Sequence, residues 1–299
     1  MAEGSGPLIE RQPAAVLVVG SLHYDILVEA SNRPIKGETL VGKAWRPKCG
    51  GKGGNQAIAA QRQDVATAIV SAVGRDAFGD ALLANLDKMG VKRSGVKLVD
   101  GLGSGMSVAM FDSDGDYGAI IVSGANLAIS AEDVSEELLR QAKVLVLQNE
   151  IPESVNAELA RRARQAGALT ILNAAPARIF ETDIAKNIDI LVVNAIEAEA
   201  YGGGAVDSLV AASAAARHLT QLVEAVVVTA GGCGLAFAKR SRLSVTLPAI
   251  PVEVVSTHGA GDVFVGSMAA RLACGEDVGA ALDLANREAA RLVAGLANA

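Results

Sequence analysis

The chain has 299 residues, of which 51% are hydrophobic and 20% charged, so it can bury a sizeable core in one large domain or two smaller ones. A net charge of −6 without a basic cluster argues against a nucleic-acid partner. The apolar runs are too short to span a membrane and the three cysteines are widely spaced, so we expect a cytoplasmic protein with no membrane partner, disulfide or zinc site.

Short apolar runs rich in β-branched residues alternate along the chain with segments of helical periodicity, after an N-terminal stretch, residues 1–13, that we expect to be a flexible tail. The predicted strands are Val16–Val19, Ala68–Val73, Val144–Leu147, Leu169–Leu172, Ile190–Val193 and Ala225–Val228, and the predicted helices include 80–89, 154–165 and 210–222. This alternation predicts an α/β fold with a mostly parallel central sheet and helices on both faces. Ligands of such sheets bind beyond the carboxyl ends of the strands.

The loop after the first predicted strand is Gly20-Ser-Leu-His-Tyr-Asp25. It lacks the G-x-G-x-x-G pattern, which argues against a dinucleotide-binding site. Asp25 is either an exposed loop acid or an acceptor for the hydroxyl groups of a ligand such as a sugar, because a carboxylate only accepts hydrogen bonds.

Two segments interrupt the alternation of strands and helices. Residues 23–48 contain short extended pieces, and residues 107–123 have the pattern of two strands around an Asp-Gly turn. We expect these insertions, at about 23–48 and 105–124, to form a small separate sheet.

A glycine-rich stretch, Cys49-Gly-Gly-Lys-Gly-Gly-Asn-Gln-Ala57, leads into a predicted helix of small residues. It is not a Walker A loop, since Lys52 is followed by Gly53. Four glycines around one lysine let the backbone approach a ligand closely, and the alternative is a flexible turn.

Polar residues also follow the later strands. Asn149-Glu150 comes after one strand and Thr229-Ala-Gly-Gly-Cys-Gly234, which could wrap a nucleotide, comes after another. Asn194 and Glu197 are three residues apart at a predicted helix start, where they either cap the helix or hold a hydrated Mg²⁺ beside phosphates.

The stretch Ser-Thr-His-Gly-Ala-Gly-Asp-Val-Phe, residues 256–264, places an acid directly after three small residues and before an apolar helix. Backbone N–H groups at such a helix start form a ready anion site. Asp262 either complements the helix dipole as a first-turn charge or acts chemically on the group bound there.

Together these motifs resemble the two signatures of the PfkB carbohydrate kinases. Gly50-Gly-Lys-Gly-Gly-Asn55, followed by Gly74 and Gly79, is similar to the first signature, and Gly259-Ala-Gly-Asp262 is similar to the second. The similarity runs in order from about residue 15 to the end. It implies a three-layer ribokinase-like fold over residues 14–299, with the two insertions forming a β lid that closes over the sugar.

The resemblance also implies an activity, the ATP-dependent phosphorylation of a primary hydroxyl of a small sugar, with ribose the first candidate. Asp262 would deprotonate the hydroxyl, and Gly259, Ala260 and Gly261 would bind the transferring phosphoryl group. The implied sugar-binding residues are His23, Asp25, Gly50, Gly51, Lys52, Asn55 and Glu150. The implied ATP-binding residues are Asn194, Thr229, Gly231, Gly234 and Asn286, with Glu197 as the Mg²⁺ residue. Pairing of lids between subunits would give a homodimer.

Two departures from the family pattern affect these expectations. His23 stands where asparagine is usual, so it either changes the recognition of hydroxyls or is a silent replacement. Ser256-Thr257-His258 stands where Asp-Thr-Thr is common. Because Ser256 lacks the carboxylate and the chain ends where the second half of a monovalent-cation site would begin, we expect little dependence on K⁺.

Other functions remain open at this point. The same reaction on a different pentose, a ketohexose or a nucleoside is the nearest alternative. A non-catalytic sugar-binding regulator is a further one, although the intact glycine turn with Asp262 argues against it.

Overall fold

The computed structural model describes residues 13–113, 117–178, 182–240 and 244–296. The predicted N-terminal tail therefore lies outside the described residues, apart from Pro13. The strands are β1 (Val16–Val19), β2 (His23–Glu29), β3 (Ala44–Gly50), β4 (Thr67–Gly74), β5 (Lys92–Val99), β6 (Met106–Phe111), β7 (Tyr117–Val122), β8 (Val144–Gln148), β9 (Leu169–Asn173), β10 (Ile190–Asn194), β11 (Ala225–Thr229), β12 (Gly234–Lys239) and β13 (Ser244–Pro248). The α-helices are α1 (Lys52–Gln61), α2 (Ala77–Lys88), α3 (Glu136–Gln141), α4 (Glu153–Ala166), α5 (Thr182–Ala185), α6 (Ala195–Ala200), α7 (Leu209–Leu219), α8 (Ala260–Ala273) and α9 (Val278–Val293).

The main sheet has nine strands in the order β13-β12-β11-β10-β9-β8-β1-β4-β5. From β11 to β5 every neighbouring pair is parallel, whereas β12 and β13 are added antiparallel at one edge. All six predicted apolar strands lie in the parallel part, each within a residue or so of its predicted bounds. The mostly parallel sheet predicted from the alternating pattern is confirmed.

Two hydrophobic clusters lie on opposite faces of the main sheet, because successive strand residues point to opposite sides. In β1, Val16 and Val18 pack in the cluster that contains residues of α1, α2, α8 and α9. Leu17 and Val19 pack in the other cluster, with residues of α3, α4, α6 and α7. Burial on both faces explains why the strands are continuously apolar, and it gives the three-layer arrangement expected from the sequence.

A second, four-stranded sheet forms from the two insertions, in the order β3-β2-β6-β7. We call it the small sheet. It is mixed, with β2 parallel to β6 and the outer strands antiparallel to their neighbours. The side chain of Asn126 links the segment after β7 to the loop between β1 and β2, because Asn126 Oδ1 accepts from the Leu22 N–H at 2.9 Å and its Nδ2 donates to the Leu22 carbonyl at 2.9 Å.

The two faces of the small sheet differ in what covers them. On one face Tyr24 stacks on Phe78 of α2, with ring centroids 4.5 Å apart. Beyond that contact the same face presents Trp45 and Ile120, which are 67% and 66% exposed. The opposite face carries Asp25 and is directed toward the loops that follow the main-sheet strands.

Helices α1 and α8 pack closely against each other, and small residues make this possible. A Cβ atom added at Gly266 of α8 would lie 2.3 Å from the Gln56 carbonyl oxygen and 2.7 Å from the Ala59 Cβ of α1. Because the two helix backbones approach so closely, side chains at the start of α1 can reach the start of α8 directly.

Two further findings concern membrane-spanning helices and cysteines. In the described ranges no helix is both long and apolar enough to cross a membrane. The cysteines Cys49, Cys233 and Cys274 are all free.

Candidate active site

Helix α8 begins immediately after a left-handed turn, and Asp262 lies in its first turn. Gly259 is the residue before the helix, with φ of 87°. The N–H of Val263 is the first in α8 that donates to the carbonyl four residues earlier, which is that of Gly259, at 3.0 Å. The N–H groups of Gly261 and Asp262 therefore have no partner within the helix and can bind an anion.

The carboxylate of Asp262 is buried and held by two amide side chains of α1. Asn55 Nδ2 donates to Oδ2 at 3.0 Å, and Gln56 Nε2 donates to Oδ1 at 2.9 Å. Asp262 is only 7% exposed and Gln56 is fully buried. These contacts fix the orientation of the carboxylate.

Burial raises the pKa of Asp262 above its ordinary value, while the charge of Lys52 and the two amide hydrogen bonds oppose this shift. Burial disfavours the charged form of an acid, and donors and cations favour it. A carboxylate with a raised pKa is a stronger proton acceptor than one in water, which suits a general base.

Two cavities of similar size meet at the start of α8. One, of about 700 Å³, is lined by Lys52, Glu197, His258, Gly259 and Asp262 among others, and we call it the acceptor cavity. The other, of about 690 Å³, is the donor cavity. It includes Gly231, Gly234, Ala260 and Asn286 in its lining. Both cavities share Asn194, Thr229 and Gly261.

Glu150 lies beside the glycine-rich loop and connects it to the loop that follows β1. Its Oε2 accepts a hydrogen bond from the Lys52 backbone N–H at 3.0 Å and another from the Ser21 hydroxyl. His23 Nδ1 is 3.9 Å from the same oxygen. The His23 side chain is buried, and its Nε2 has no hydrogen-bond partner in the described structure. His23 is thus a buried neighbour of Glu150 and does not line either cavity.

Asp25 lies on β2 against the backbone of Gly50, directly above the glycine-rich loop. A Cβ atom at Gly50 would lie 2.2 Å from Asp25 Oδ2, so only glycine leaves room for this carboxylate. Asp25 Oδ1 accepts from the hydroxyl of Ser107 on β6. Burial raises the pKa of Asp25, while the Ser107 hydrogen bond and nearby positive charges lower it. Asp25 is thus a buried side chain rather than an exposed loop acid.

Asn194 and Glu197 form a reciprocal capping box at the start of α6. The Asn194 side chain accepts from the Glu197 N–H, and Glu197 Oε2 accepts from the Asn194 N–H, both at 2.9 Å. Burial raises the pKa of Glu197. Asn194 and Glu197 therefore cap α6, which is one of the two roles that the sequence left open for them. Only one carboxylate oxygen of Glu197 is used in it, which leaves Oε1 for a water molecule or a cation.

The donor cavity lies beyond β10, β11 and β12 and has mainly apolar walls. Its described lining includes Ile250, Phe264, Ala289 and Val293 besides the glycines of the loop after β11. Asn286 of α9 donates from Nδ2 to the Pro248 carbonyl at 3.0 Å, which ties the helix to β13. A mainly apolar cavity with a few polar groups has the character of a site for a nucleotide base.

The structure thus gathers the residues predicted from the sequence at one end of the main sheet. Of the predicted positions, eleven line one or both cavities: Lys52, Asn194, Glu197, Thr229, Gly231, Gly234, Gly259, Ala260, Gly261, Asp262 and Asn286. The other six are not in either lining: His23, Asp25, Gly50, Gly51, Asn55 and Glu150. Gly51 is the residue that precedes α1, with φ of 85°. The signature residues Gly74 and Gly79 lie elsewhere. Gly74 donates to the Ser104 hydroxyl and Gly79 donates to Asp76, so they support the base of the small sheet.

Three residues at the site were not predicted from the sequence as site residues. Gln56 holds Asp262, Ser107 holds Asp25, and His258 lines the acceptor cavity. The polar Gln56 within an apolar helix of small residues was a signal in the sequence for the first of these. No local pattern indicated that Ser107 pairs with a residue 82 positions away.

Comparisons with known proteins agree with this arrangement. The family model described as "pfkB family carbohydrate kinase" matches residues 14–296. The chain is 34% identical over 276 residues to ribokinase from Bacillus subtilis, covering 92% of this chain and 91% of that protein. It is 33% identical over 284 residues to deoxyribokinase from Salmonella typhi, covering 94% and 92%. The solved structure of Arabidopsis thaliana ribokinase complexed with ribose and ATP matches with a TM-score of 0.86 and 32% identity, covering 94% of this chain and 93% of that one.

Proposed function

The chain belongs to the pfkB family of carbohydrate kinases, which are ATP-dependent phosphotransferases, and on that premise we propose that it phosphorylates a primary hydroxyl of a small sugar, with D-ribose the first candidate. The observation that carries this proposal is the position of Asp262. Its buried carboxylate lies at a helix N-terminus between two cavities, one with polar walls and the other with the apolar walls that suit a nucleotide base.

The residues at the point where the two cavities meet have different roles in phosphoryl transfer. Asp262 accepts the proton of the sugar hydroxyl as the hydroxyl oxygen attacks the terminal phosphorus of ATP, and the bond from that phosphorus to the bridging oxygen breaks, so that ADP leaves. The Gly259-Ala260-Gly261 turn presents the unpaired N–H groups of Gly261 and Asp262 to the phosphoryl oxygens and so stabilises their negative charge. Asn55 and Gln56 keep the carboxylate aimed at the hydroxyl, which reduces the entropy lost in reaching the transition state.

The donor set beside the turn fits a hydrated Mg²⁺. Carboxylate and amide oxygens are the protein ligands that Mg²⁺ prefers, usually with several retained waters. Glu197 offers the carboxylate oxygen that its capping box leaves unused, and Asn194 borders both cavities. Bound there with ATP, the ion would supply positive charge against the phosphate oxygens.

We assign the sugar hydroxyls to Lys52, which lines the acceptor cavity, and to Asp25 and Asn55, supported by Gly50, Gly51 and Glu150. Similar identities to a ribokinase and a deoxyribokinase leave the choice between ribose and 2-deoxyribose open. The deciding experiment measures ATP consumption with pentoses, 2-deoxyribose, hexoses and nucleosides. Phosphorylation of one sugar well above the others supports the proposal, and consumption with nucleosides alone would replace it by a nucleoside kinase.

Removing the Asp25 carboxylate should weaken sugar binding. In Asp25→Ala the sugar loses a charge-assisted hydrogen-bond acceptor, which costs about 1.5–3 kcal/mol, or about a 10- to 150-fold rise in the sugar KM. The KM for ATP should change little. Steady-state kinetics with each substrate varied in turn measure both. Asp183→Ala is the matched control because its side chain is 87% exposed, and equal effects of the two variants would contradict the role of Asp25.

Activity should depend little on K⁺. The Ser256 hydroxyl accepts from the His258 N–H at 3.3 Å, and the Val255 N–H donates to the Val293 carbonyl at 2.8 Å, so protein contacts hold the turn. A neutral serine also compensates the dehydration of a cation less than a carboxylate would. Initial rates are compared in K⁺, Na⁺ and a bulky organic cation at constant ionic strength. Several-fold activation by K⁺ alone would show that another group supplies the missing charge.

We also propose that the small sheet acts as a lid and that its exposed face pairs two copies of the chain. The support is the apolar face formed by Trp45 and Ile120 with neighbouring β-strand residues, since a monomer rarely leaves such a face in water. Sedimentation velocity at micromolar concentration tests the pairing, and a purely monomeric protein would contradict it.

A further inference from the structure

His258 immediately precedes the anion-binding turn and belongs to the lining of the acceptor cavity, together with Lys52 and Asp262. Its imidazole interacts electrostatically with the carboxylates of Asp25 and Asp262, which come from β2 and α8. It also interacts with the ammonium groups of Lys48 on β3 and Lys52 on α1. The ring therefore belongs to the cavity lining beside Asp262 and is close enough to Asp25 for the two side chains to interact.

The two ring nitrogens of His258 make no hydrogen bond to any described residue. Among the described residues, only the backbone N–H of His258 makes a hydrogen bond, to the Ser256 hydroxyl. A neutral imidazole offers one donor and one acceptor, the same pair of functions that a hydroxyl group requires. His23 Nε2 also has no partner in the described structure, but it is buried, and His23 does not line the acceptor cavity.

We propose that His258 is a specificity-determining residue of the acceptor site, where its imidazole binds a sugar hydroxyl that lies between the one deprotonated by Asp262 and those bound by Asp25. This inference rests on the proposed sugar kinase function. It assigns the side chain to recognition rather than to chemistry, because Asp262 already provides the base. The substrate it selects is a polyhydroxylated sugar rather than the analogue that lacks this one hydroxyl.

The test removes the interaction from both sides, the protein and the sugar. Wild type, His258→Leu and His258→Gln are assayed at pH 8, where an imidazole of ordinary pKa, about 6.5, is neutral. The acceptors are D-ribose and three analogues that each lack one hydroxyl, namely 1,4-anhydro-D-ribitol, 2-deoxy-D-ribose and 3-deoxy-D-ribose. His218→Leu is the matched control, since His218 is an exposed histidine on α7.

The preference for ribose is the ratio of kcat/KM for ribose to kcat/KM for an analogue. For one of the three analogues, this ratio should be about 3- to 10-fold lower in His258→Leu than in the wild type. The fall should come from the sugar KM, with kcat and the KM for ATP nearly unchanged. His258→Gln should retain part of the preference because its amide also donates and accepts, and His218→Leu should retain all of it.

An equal change toward ribose and all three analogues in His258→Leu would overturn the proposal, because a structural role affects every sugar alike. A fall in kcat without a change in the sugar KM would also overturn it. Failure of the proposed function gives a different result, in which the wild type phosphorylates no sugar at all.

Discussion

Asp262→Asn is expected to lower kcat by about 10² to 10⁴ while ATP still binds. The amide has the shape of the carboxylate but cannot accept the proton of the attacking hydroxyl. The surrounding contacts can adapt to it, because Gln56 Oε1 has no hydrogen-bond partner in the described structure. Rotation of the Gln56 amide by half a turn would present this oxygen to the N–H₂ group that the substitution introduces. The fold should therefore survive the substitution.

Two measurements separate chemistry from folding in this variant. Calorimetric titration with ATP should give nearly the wild-type affinity, and the thermal unfolding midpoint should remain close to that of the wild type. Retention of more than about a tenth of the wild-type kcat would show that another group acts as the base.

Gly266→Ala is expected to impair both stability and turnover. The added methyl group would lie 2.3 Å from the Gln56 carbonyl oxygen, so α1 and α8 must separate. Overpacking of this kind costs about 1–3 kcal/mol of unfolding free energy. Separation also moves Asn55 and Gln56 away from Asp262, and a displacement of about 1 Å in a catalytic group can cost about 10²-fold in rate.

The matched control for stability is Gly261→Ala in the same helix. A Cβ atom there has nothing within 4 Å, so urea unfolding should give nearly the wild-type free energy, although the residue lies in the anion-binding turn. If Gly266→Ala unfolds at the same urea concentration as the wild type and retains full kcat, the close contact between α1 and α8 has no part in positioning Asp262.

The parallel strands of the main sheet other than β5 could be predicted from the sequence because they are buried on both faces, whereas the edge strand β5 is only partly buried and was not predicted. Val144–Leu147 and Ala225–Val228 are continuous apolar runs for this reason, and few other structures produce them. The antiparallel strands β12 and β13 were not predicted. Ser244–Pro248 alternates between exposed and half-buried residues at the edge of the sheet, so its pattern is weak over five residues.

The candidate site likewise contains residues that the sequence could reveal and contacts that it could not. Asp262 and the glycine-rich loop could be found because each occupies a short, continuous motif at a helix start. The contacts that set their chemistry could not be found, because Gln56 and Asp262 are 206 positions apart and meet only through helix packing. For His23, local sequence gave its position after the first strand but not the burial of its Nε2.

Trp45 is the single tryptophan of the chain, and it lies on the exposed face of the small sheet. Its fluorescence therefore reports on this sheet alone, without a background from the main domain. The proposed closure of the small sheet over a sugar would leave that face in water, whereas the proposed pairing of two copies through it would remove the indole from water. Emission that shifts to the blue on raising the protein concentration would record pairing, and the chain thus carries its own spectroscopic probe of the small sheet.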